Sequence, residues 1–434
     1  MSIAAFSQLF LGFALNRHHF GLSLLQAMSI FASLSAQLLM AQRIGPGLQL
    51  DSYFAVIGFA MAFVGSIGTG GTYLLPARIR ADGQTAGHQL KIAGAGVVAV
   101  ATLGIVVAVV SAILFSTNRS TSQQPQFPEY ALLLIGLGWA SAYTSILAAA
   151  WGAVGNSHGR VVCVIVFSVV PPTVMALYLY STLSPNVVGI AMAQLVGICV
   201  QTMGLAWTYR SLWTFRGLDR GAVVRIVGNL PVAVAGALCF SAYSAVDAWL
   251  APSLGAGVMS HQALAQRLVI AFCAVLSAGP FMLAPSITAT MLEEGQRQDA
   301  WKYTLHAAMK LILLCLVASA ATHWVGHWAI SVLFQRGAFG FNDTHAVSNA
   351  VTILLIGSGP MLATAVAFRV LHNTGNGLHV AYLSLAWLLL YATFASLLSV
   401  WLGSLALSIA YVAAWSLILL TTYFLLSRVL ARVT

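Results

Sequence analysis

One arginine, Arg267, lies deep in an apolar segment that covers about residues 258–289. Nine residues of helix reach roughly 14 Å, which is near the middle of a membrane core about 30 Å thick. A central arginine costs at least about 2.5–3.5 kcal/mol to insert, so we expect it to face a cavity or a charged partner. Because a guanidinium grips a phosphate through two parallel hydrogen bonds, Arg267 is predicted to bind an anionic substrate. The alternative is a structural ion pair with Asp247.

Two carboxylates, Asp51 and Asp247, stand near the predicted outer ends of their helices. Both are predicted to take part in substrate binding, or in coupling to a cation (Na⁺ or H⁺) or to the membrane potential. For Asp51 the alternative is a helix N-cap or an interfacial position. We expect no cofactor, and no spacing of histidine or cysteine resembles a metal site.

The motifs of several enzyme classes are missing from the sequence. There is no GxxxxGK[ST] and no GxSxG, so neither a P-loop nor a nucleophile elbow is visible. The longest clear outer loop, STNRSTSQQPQFPE at 116–129, is polar without gathering carboxylates or histidines. A membrane-bound glycan polymerase or ligase needs such a catalytic loop, and we therefore predict that the chain is not an enzyme.

The composition identifies the kind of molecule that must position these residues. Of 434 residues, 60% are hydrophobic and 6% are charged, and the mean hydropathy is +0.90. A soluble domain carries roughly 25% charged residues. The alternating pattern of a β-barrel is absent, so the predicted fold class is an all-α polytopic membrane protein.

A spanning helix needs about 20 mainly apolar residues, and the sequence offers twelve such segments. An N-terminal segment before them is predicted to lie on the membrane surface. The twelve predicted spans are approximately 22–41, 53–76, 91–115, 130–150, 161–183, 187–207, 222–246, 258–289, 304–328, 347–370, 380–400 and 404–427.

The basic residues orient these spans. With the N-terminus in the cytoplasm, 15 of the 19 Lys and Arg residues fall on the inner side and three on the outer side, and Arg267 alone lies within a span. This asymmetry predicts that both termini are cytoplasmic. The formal net charge of +10 is therefore a topology signal, and no nucleic-acid partner is expected.

The two halves of the chain resemble each other when one is shifted by 209 positions. This shift places Pro285 on Pro76 and Gly279 on Gly70. It predicts two six-helix lobes, residues 1–210 and 211–434, related by a pseudo-two-fold repeat. Helices interrupted by Gly and Pro at matching positions mark hinges or a midplane site in transporters, although they can also serve close helix packing. The hinge candidates of this kind are Gly68, Gly70, Pro76, Gly279, Pro280 and Pro285.

A polar turn rich in aromatic residues, SVLFQRGAFGFNDT at 331–344, separates two apolar spans. Arg336 is predicted to be anchored at the membrane interface, and Gly337 to permit a tight turn. Phe339 and Phe341 are predicted at headgroup level, and Asn342 or Asp343 as the N-cap of the next helix. We interpret this segment as a turn that anchors the chain at the membrane interface and also serves as an outer gate.

The same turn carries a family resemblance. LFQRGAF at 333–339, followed by Asp343 and Thr344, resembles a signature of the MviN/MurJ family of lipid-linked oligosaccharide flippases. Further segments are similar in chain order: IGPGLQLDSYFAV at 44–56, VDAWLAPSLGAGVMSHQALAQRLV at 246–269, LAPSI at 283–287 and FRVLHNTGN at 368–376. A cavity arginine of the family falls on Arg267.

The resemblance implies two six-helix lobes of the multidrug/oligosaccharidyl-lipid/polysaccharide exporter superfamily. It implies alternating access, in which a polyprenyl-diphosphate-linked sugar enters a cationic cavity while its lipid tail stays in the bilayer. It also implies a monomer in the bacterial cytoplasmic membrane.

The sequence departs from the family at two places in the first helix. Members that carry the peptidoglycan precursor have arginines where this chain reads Ser29-Ile30 and Ala36-Gln37. A peptidoglycan precursor and another lipid-linked oligosaccharide are therefore both open as substrates. A cation-coupled multidrug antiporter of the same superfamily is the alternative function, but it normally needs a carboxylate at mid-depth, and spans one and two have none.

Overall fold

A computed structural model describes residues 17–67, 131–157, 161–210, 220–277, 287–288, 291–292 and 294–431. Across these residues the chain is helical, without a β-strand. The helices are α1 (Arg17–Arg43), α2 (Leu48–Ala60), α3 (Ala131–Ser157), α4 (Val161–Ser168), α5 (Val170–Ser181), α6 (Val187–Thr208), α7 (Arg220–Ser241), α8 (Tyr243–Leu254), α9 (Val258–Ser277), α10 (Arg297–Phe334), α11 (Phe341–Asn373), α12 (Gly377–Leu402) and α13 (Ala406–Ala431).

The described helices are those of a polytopic membrane protein, as predicted. Seven helical stretches within the described ranges are long and apolar enough to cross a membrane, and the last of them, Gly377–Leu430, contains both α12 and α13. Every predicted span that has described residues is mainly helical there. Span three, 91–115, lies outside the described residues.

Two helices, α1 and α9, are marked by their polar residues. Both carry polar side chains that an ordinary lipid-facing helix lacks: Ser29, Ser33 and Gln37 in α1, and Ser260, His261, Gln262, Gln266 and Arg267 in α9. Polar residues within a membrane protein face its interior or a cavity. The two helices are therefore candidates to line the site.

Large apolar side chains cover the outside of the helices. Leu183, Trp401 and Leu389 are 98%, 84% and 69% exposed. In a soluble protein such a surface would associate, whereas here it matches the hydrocarbon of the bilayer. The interior of the second half is instead filled by aromatic rings, with Trp387 stacked on Tyr391 at 5.2 Å between ring centroids and packed on Trp415 at 4.8 Å.

Three predicted spans are interrupted helices, and span seven breaks at Ala242, between α7 and α8. Span five breaks between Ser168 and Val170, where Pro171 and Pro172 occupy the first turn of α5. Proline lacks an N–H and clashes with the preceding turn, so it begins a helix well and kinks or breaks a helix interior. In span two, α2 passes into a π-helical turn at Met61–Gly65. Such turns often occur at functional sites.

The first half of the chain (described up to residue 210) contacts the second half (described from residue 220) mainly through α2, which packs against α8 and α9. At this contact the Ser244 hydroxyl donates a hydrogen bond of 2.8 Å to the Gly58 carbonyl. A Cβ on Gly58 would lie only 3.3 Å from the Ser244 carbonyl oxygen, so a glycine permits the close approach. The division into lobes 1–210 and 211–434 stays a prediction.

The turns 44–47, 255–257 and 335–340 meet at one end of the helices, which we call the predicted outer face. Pro46 lies 3.7 Å from a Cβ built on Gly257. The Ala338 backbone N–H donates a hydrogen bond of 2.9 Å to the Gln42 carbonyl. The two halves of the chain are therefore in direct contact at this end.

Candidate functional site

A cavity of about 140 Å³ lies between the two halves of the chain. Four helices of the first half, α1, α2, α5 and α6, form most of its wall, and α9 of the second half contributes Arg267. The described lining residues are Ser33, Ala36, Gln37, Tyr53, Phe54, Ile57, Pro171, Pro172, Met175, Gln194 and Arg267. The break in span five thus supplies part of the wall through its two prolines.

Arg267 brings the positive charge to this cavity. Its side chain is exposed, and its guanidinium acts electrostatically on the hydroxyl groups of Tyr53 and Tyr243. Within the described ranges no ion pair joins Arg267 to a carboxylate. The alternative, an ion pair between Arg267 and Asp247, is therefore not observed. The guanidinium can bind an anion in the cavity.

The remaining polar groups of the cavity are neutral. The Tyr53 hydroxyl donates a hydrogen bond of 2.6 Å to Oε1 of Gln194. The Gln37 side chain is 9% exposed, and its Oε1 is buried without a donor among the described residues. The cavity therefore presents amide groups beside one cation.

Sequence reasoning did not single out Tyr53, Gln194 or the Pro171–Pro172 pair. It noted Gln37 only within Ala36-Gln37, where family members that carry the peptidoglycan precursor have an arginine. The prolines were visible as an interruption in an apolar segment, which is a signal for a site in transporters. The glutamines were less visible, because a polar residue in an apolar helix indicates a cavity only when the neighbouring helices are known.

Asp247 lies apart from the described lining of the cavity. It is fully buried, accepts a hydrogen bond of 2.6 Å from Nε2 of Gln266, and accepts a second one from the Tyr391 hydroxyl. These contacts tie α8, α9 and α12 together. Asp247 and Arg267 form no ion pair among the described residues, and substrate binding by Asp247 stays a prediction.

Asp51 occupies the start of α2 but caps another helix. Its carboxylate accepts hydrogen bonds from the backbone N–H groups of Gly257, at 2.6 Å, and Ser260, at 2.8 Å, and from the Ser260 hydroxyl. The four unpaired N–H groups at a helix start favour an anion, so Asp51 stabilises the beginning of α9. Its oxygens are occupied by these donors, and its predicted role in substrate binding is untested.

The predicted turn at 335–340 is tight and joins the two halves. Gly337 has φ +62°, and a Cβ there would lie 2.3 Å from the Gln42 carbonyl oxygen. The Gln42 side chain also donates from Nε2 to the Leu333 carbonyl at 3.1 Å. Arg336 is exposed beside the turn. A side chain at Gly337 therefore conflicts with both the backbone conformation and the contact with α1.

Two details of that turn differ from the predictions. Phe339 is only 2% exposed, because it packs on Phe334 at 5.6 Å between centroids instead of reaching the headgroups. The N-cap of α11 is Gly340, and neither Asn342 nor Asp343. Asp343 lies one turn later and accepts the Gly340 N–H at 2.8 Å, while its other oxygen pairs with His261 of α9 at 2.8 Å.

The hinge candidates Gly68, Gly70, Pro76, Gly279, Pro280 and Pro285 all lie outside the described residues. The π-helical turn Met61–Gly65 comes immediately before the first of these segments. Within the described ranges, no group of three or more His, Cys, Asp or Glu side chains could hold a metal ion.

Comparison of the sequence with known families decides the affiliation of the chain. The profile of the family described as "Lipid II flippase MurJ" matches residues 160–433, which is more than half of the chain. The chain belongs to this family. The resemblance found in the turn motif is thereby confirmed, and so is the prediction of a transporter that is not an enzyme. No curated protein matches the sequence closely enough to be reported.

Solved structures of the MurJ and MATE families share the fold. "Lipid II flippase MurJ, inward closed conformation" has a TM-score of 0.73 and 13% identity over 94% of this chain and 87% of that one. A MATE multidrug transporter of the MOP superfamily has TM-scores of 0.67 inward-facing and 0.68 outward-facing, at 15% and 14% identity. These matches cover 93% and 95% of this chain and 95% of each MATE chain. At such identities the similarity establishes the fold alone.

Proposed function

We propose that this MurJ-family transporter flips a polyprenyl-diphosphate-linked glycan, either a lipid II-like peptidoglycan precursor or another lipid-linked oligosaccharide. The observation that carries the proposal is Arg267, a permanent cation without a carboxylate partner in the described ranges, which lines a cavity between the halves. A diphosphate supplies the negative charge that this guanidinium lacks. Transport proceeds from the inner to the outer leaflet.

Alternating access follows from the size of the cavity. A volume of about 140 Å³ is far too small for a complete diphosphate-linked oligosaccharide. The halves must therefore separate to admit the headgroup and must separate again on the other side to release it. The contacts of Asp51, Gln42 and Gly337 join the halves at the predicted outer face, which supports the proposal that this conformation is closed toward the outside. In this scheme Asp51, Arg336 and Gly337 belong to an outer gate.

Asp247 is proposed as the coupling residue. It is a buried carboxylate held by the Tyr391 hydroxyl and Gln266, in a region of the second half separate from the cavity lining. Buried ionisable groups of this kind mark ion or proton pathways in transporters. Binding of Na⁺ or H⁺ there changes the charge of the carboxyl group and thereby the packing between α8, α9 and α12. The membrane potential is the alternative driving force.

The proposed location is the bacterial cytoplasmic membrane, with both termini in the cytoplasm and the chain acting as a monomer. The distribution of basic residues supports this orientation. The predicted outer face then points away from the cytoplasm, as an outer gate requires.

The decisive experiment measures flipping of a lipid-linked glycan in proteoliposomes. Arg267→Ala is expected to lower substrate binding by about tenfold to a hundredfold, because a hydrogen bond to a charged group contributes about 1.5–3 kcal/mol. Arg428→Ala is the matched control, since Arg428 lies over the Phe424 ring at 4.2 Å and not at the cavity. Undiminished flipping by a folded Arg267→Ala protein contradicts the proposal.

A cation-coupled multidrug antiporter is the second candidate, because the MATE structures share the fold. The described cavity lining contains one cationic side chain and no carboxylate. This favours an anionic substrate over the cationic compounds that a membrane-embedded carboxylate would bind. Transport of a cationic dye without flipping of a lipid-linked glycan, measured in the same proteoliposomes, would reverse this choice.

A further inference from the structure

Beside Arg267, the described polar lining of the cavity consists of neutral groups: Ser33, Gln37, Tyr53 and Gln194. An ionised diphosphate accepts hydrogen bonds and donates none, so an acceptor among these groups needs another part of the substrate as its donor. The rest of the described lining is largely apolar and includes Pro171, Pro172 and Met175. A few placed polar groups against an apolar wall are typical of a site that fixes the orientation of a ring-shaped ligand.

Gln37 is the member of this set whose hydrogen bonding is incomplete. Its side chain lines the cavity, and its Oε1 is buried without a donor in the described part of the chain. A buried acceptor left unpaired destabilises the protein, and a ligand that brings an O–H or N–H removes that cost. The terminal torsion of a glutamine is broad, so the amide can turn to meet such a donor.

Gln194 is oriented by a neighbour. The Tyr53 hydroxyl donates to its Oε1 at 2.6 Å, which fixes which end of the amide faces Tyr53. Within the described residues its Nε2 group has no assigned acceptor, so it is the end that can donate to a ligand. The cavity therefore combines an acceptor at Gln37 with a donor at Gln194.

We propose that Gln37 and Gln194 form a subsite for the first sugar of the substrate, the ring attached directly to the diphosphate. This inference rests on the proposed function, in which Arg267 binds the diphosphate beside it. Gln37 accepts a hydrogen bond from a hydroxyl or acetamido N–H of that sugar, and Gln194 donates one. The transporter thereby distinguishes a loaded carrier lipid from the bare polyprenyl diphosphate, which it must not return across the membrane.

The test compares two probes, undecaprenyl diphosphate and undecaprenyl-diphosphate-N-acetylglucosamine, by native mass spectrometry of the purified full chain. The wild type is expected to bind the sugar-bearing probe more tightly. Gln37→Leu should reduce that affinity about tenfold and leave the affinity for undecaprenyl diphosphate unchanged. Arg267→Ala should weaken both. Gln298→Leu, an exposed glutamine of α10, is the matched control.

Folding is not expected to limit this test, since leucine removes an unpaired buried acceptor at similar volume, and the apparent Tm of Gln37→Leu should not fall. Gln194→Leu is the second variant and should also lose the preference for the sugar. Equal weakening of both probes by Gln37→Leu, or no change for either, overturns the subsite while leaving the proposed function intact. A wild type that binds neither probe overturns the proposed function, and the subsite with it.

Discussion

Asp51 and Ser260 are joined by hydrogen bonds across 209 positions of sequence, with the Ser260 backbone N–H donating to the Asp51 carboxylate at 2.8 Å. The same offset brings the two halves of the sequence into register, placing Pro76 on Pro285. Positions equivalent under a two-fold operation meet only close to its axis. We infer that the predicted pseudo-two-fold axis passes near this contact on the predicted outer face.

Asp51→Asn tests whether this contact holds the halves together. Asparagine keeps an acceptor but loses the charge that favours a helix start, so we expect a destabilisation of about 1–2 kcal/mol. The apparent Tm of the protein in detergent measures it. Asp299→Asn is the control, because that exposed carboxylate pairs only loosely with Lys302, at 3.9 Å, and such surface pairs contribute about 0–1 kcal/mol. Equal decreases in apparent Tm for Asp51→Asn and Asp299→Asn would show that Asp51 does not hold the two halves together.

A cross-link across the predicted outer face should stop transport. Gln42→Cys and Ala338→Cys replace residues whose backbones are hydrogen-bonded at 2.9 Å. Their disulfide is expected to abolish flipping, and a reductant to restore it. The native cysteines must first be replaced: Cys163, Cys199, Cys239, Cys273 and Cys315.

The control for this cross-link lies within the first half of the chain. Ser29→Cys with Ser168→Cys joins α1 to α4, where the two hydroxyl oxygens are 2.9 Å apart. This pair should leave substantial transport after oxidation. Full activity of the oxidised 42–338 pair would show that the outer face does not open.

Gly337→Ala separates backbone strain from the contact with α1. Alanine in a left-handed conformation costs roughly 1–2 kcal/mol, and at Gly337 its Cβ also meets the Gln42 carbonyl oxygen at 2.3 Å. Gly375→Ala carries the same kind of strain, with φ +77°, but its Cβ meets nothing within 4 Å. We expect Gly337→Ala to lower the apparent Tm clearly more than Gly375→Ala. Equal apparent Tm values for the two variants would mean that the turn at Gly337 can shift away from Gln42 without a measurable loss of stability.

Asp247→Asn tests the proposed coupling residue. The neutral amide should remove the dependence of flipping on a Na⁺ or H⁺ gradient, while binding of the lipid-linked substrate at the cavity persists. Flipping rates in proteoliposomes with and without each gradient, together with binding by native mass spectrometry, measure the two properties separately. Gradient dependence that survives in Asp247→Asn would assign coupling to another group.

The position of Arg267 at a cavity was expected from the sequence, but the residues around it were not. Arg267 was recognisable because one charge in an apolar helix needs a partner or a cavity wherever the other helices lie. Gln37 and Gln194 belong to different helices, and only the packing of α1 against α5, and of α5 against α6, brings them to one cavity. Periodicity does not contain that information.

Capping was mispredicted for a related reason. Local rules assign a polar side chain to the start of its own helix, as they did for Asn342 and Asp343. Asp51 instead caps α9, and Asp343 pairs with His261 on that same helix. Contacts between residues so distant in sequence depend on how the halves dock.

The Asp51–Ser260 contact also has a consequence for the two predicted repeats. Two identical copies arranged around a two-fold axis would set aspartate against aspartate, which repels, or serine against serine, which provides no anion for the helix start. One chain with two unlike copies can place the acid on one side and the amide donors on the other. The hydrogen bond between the two side chains therefore depends on the two predicted repeats being unlike at this position.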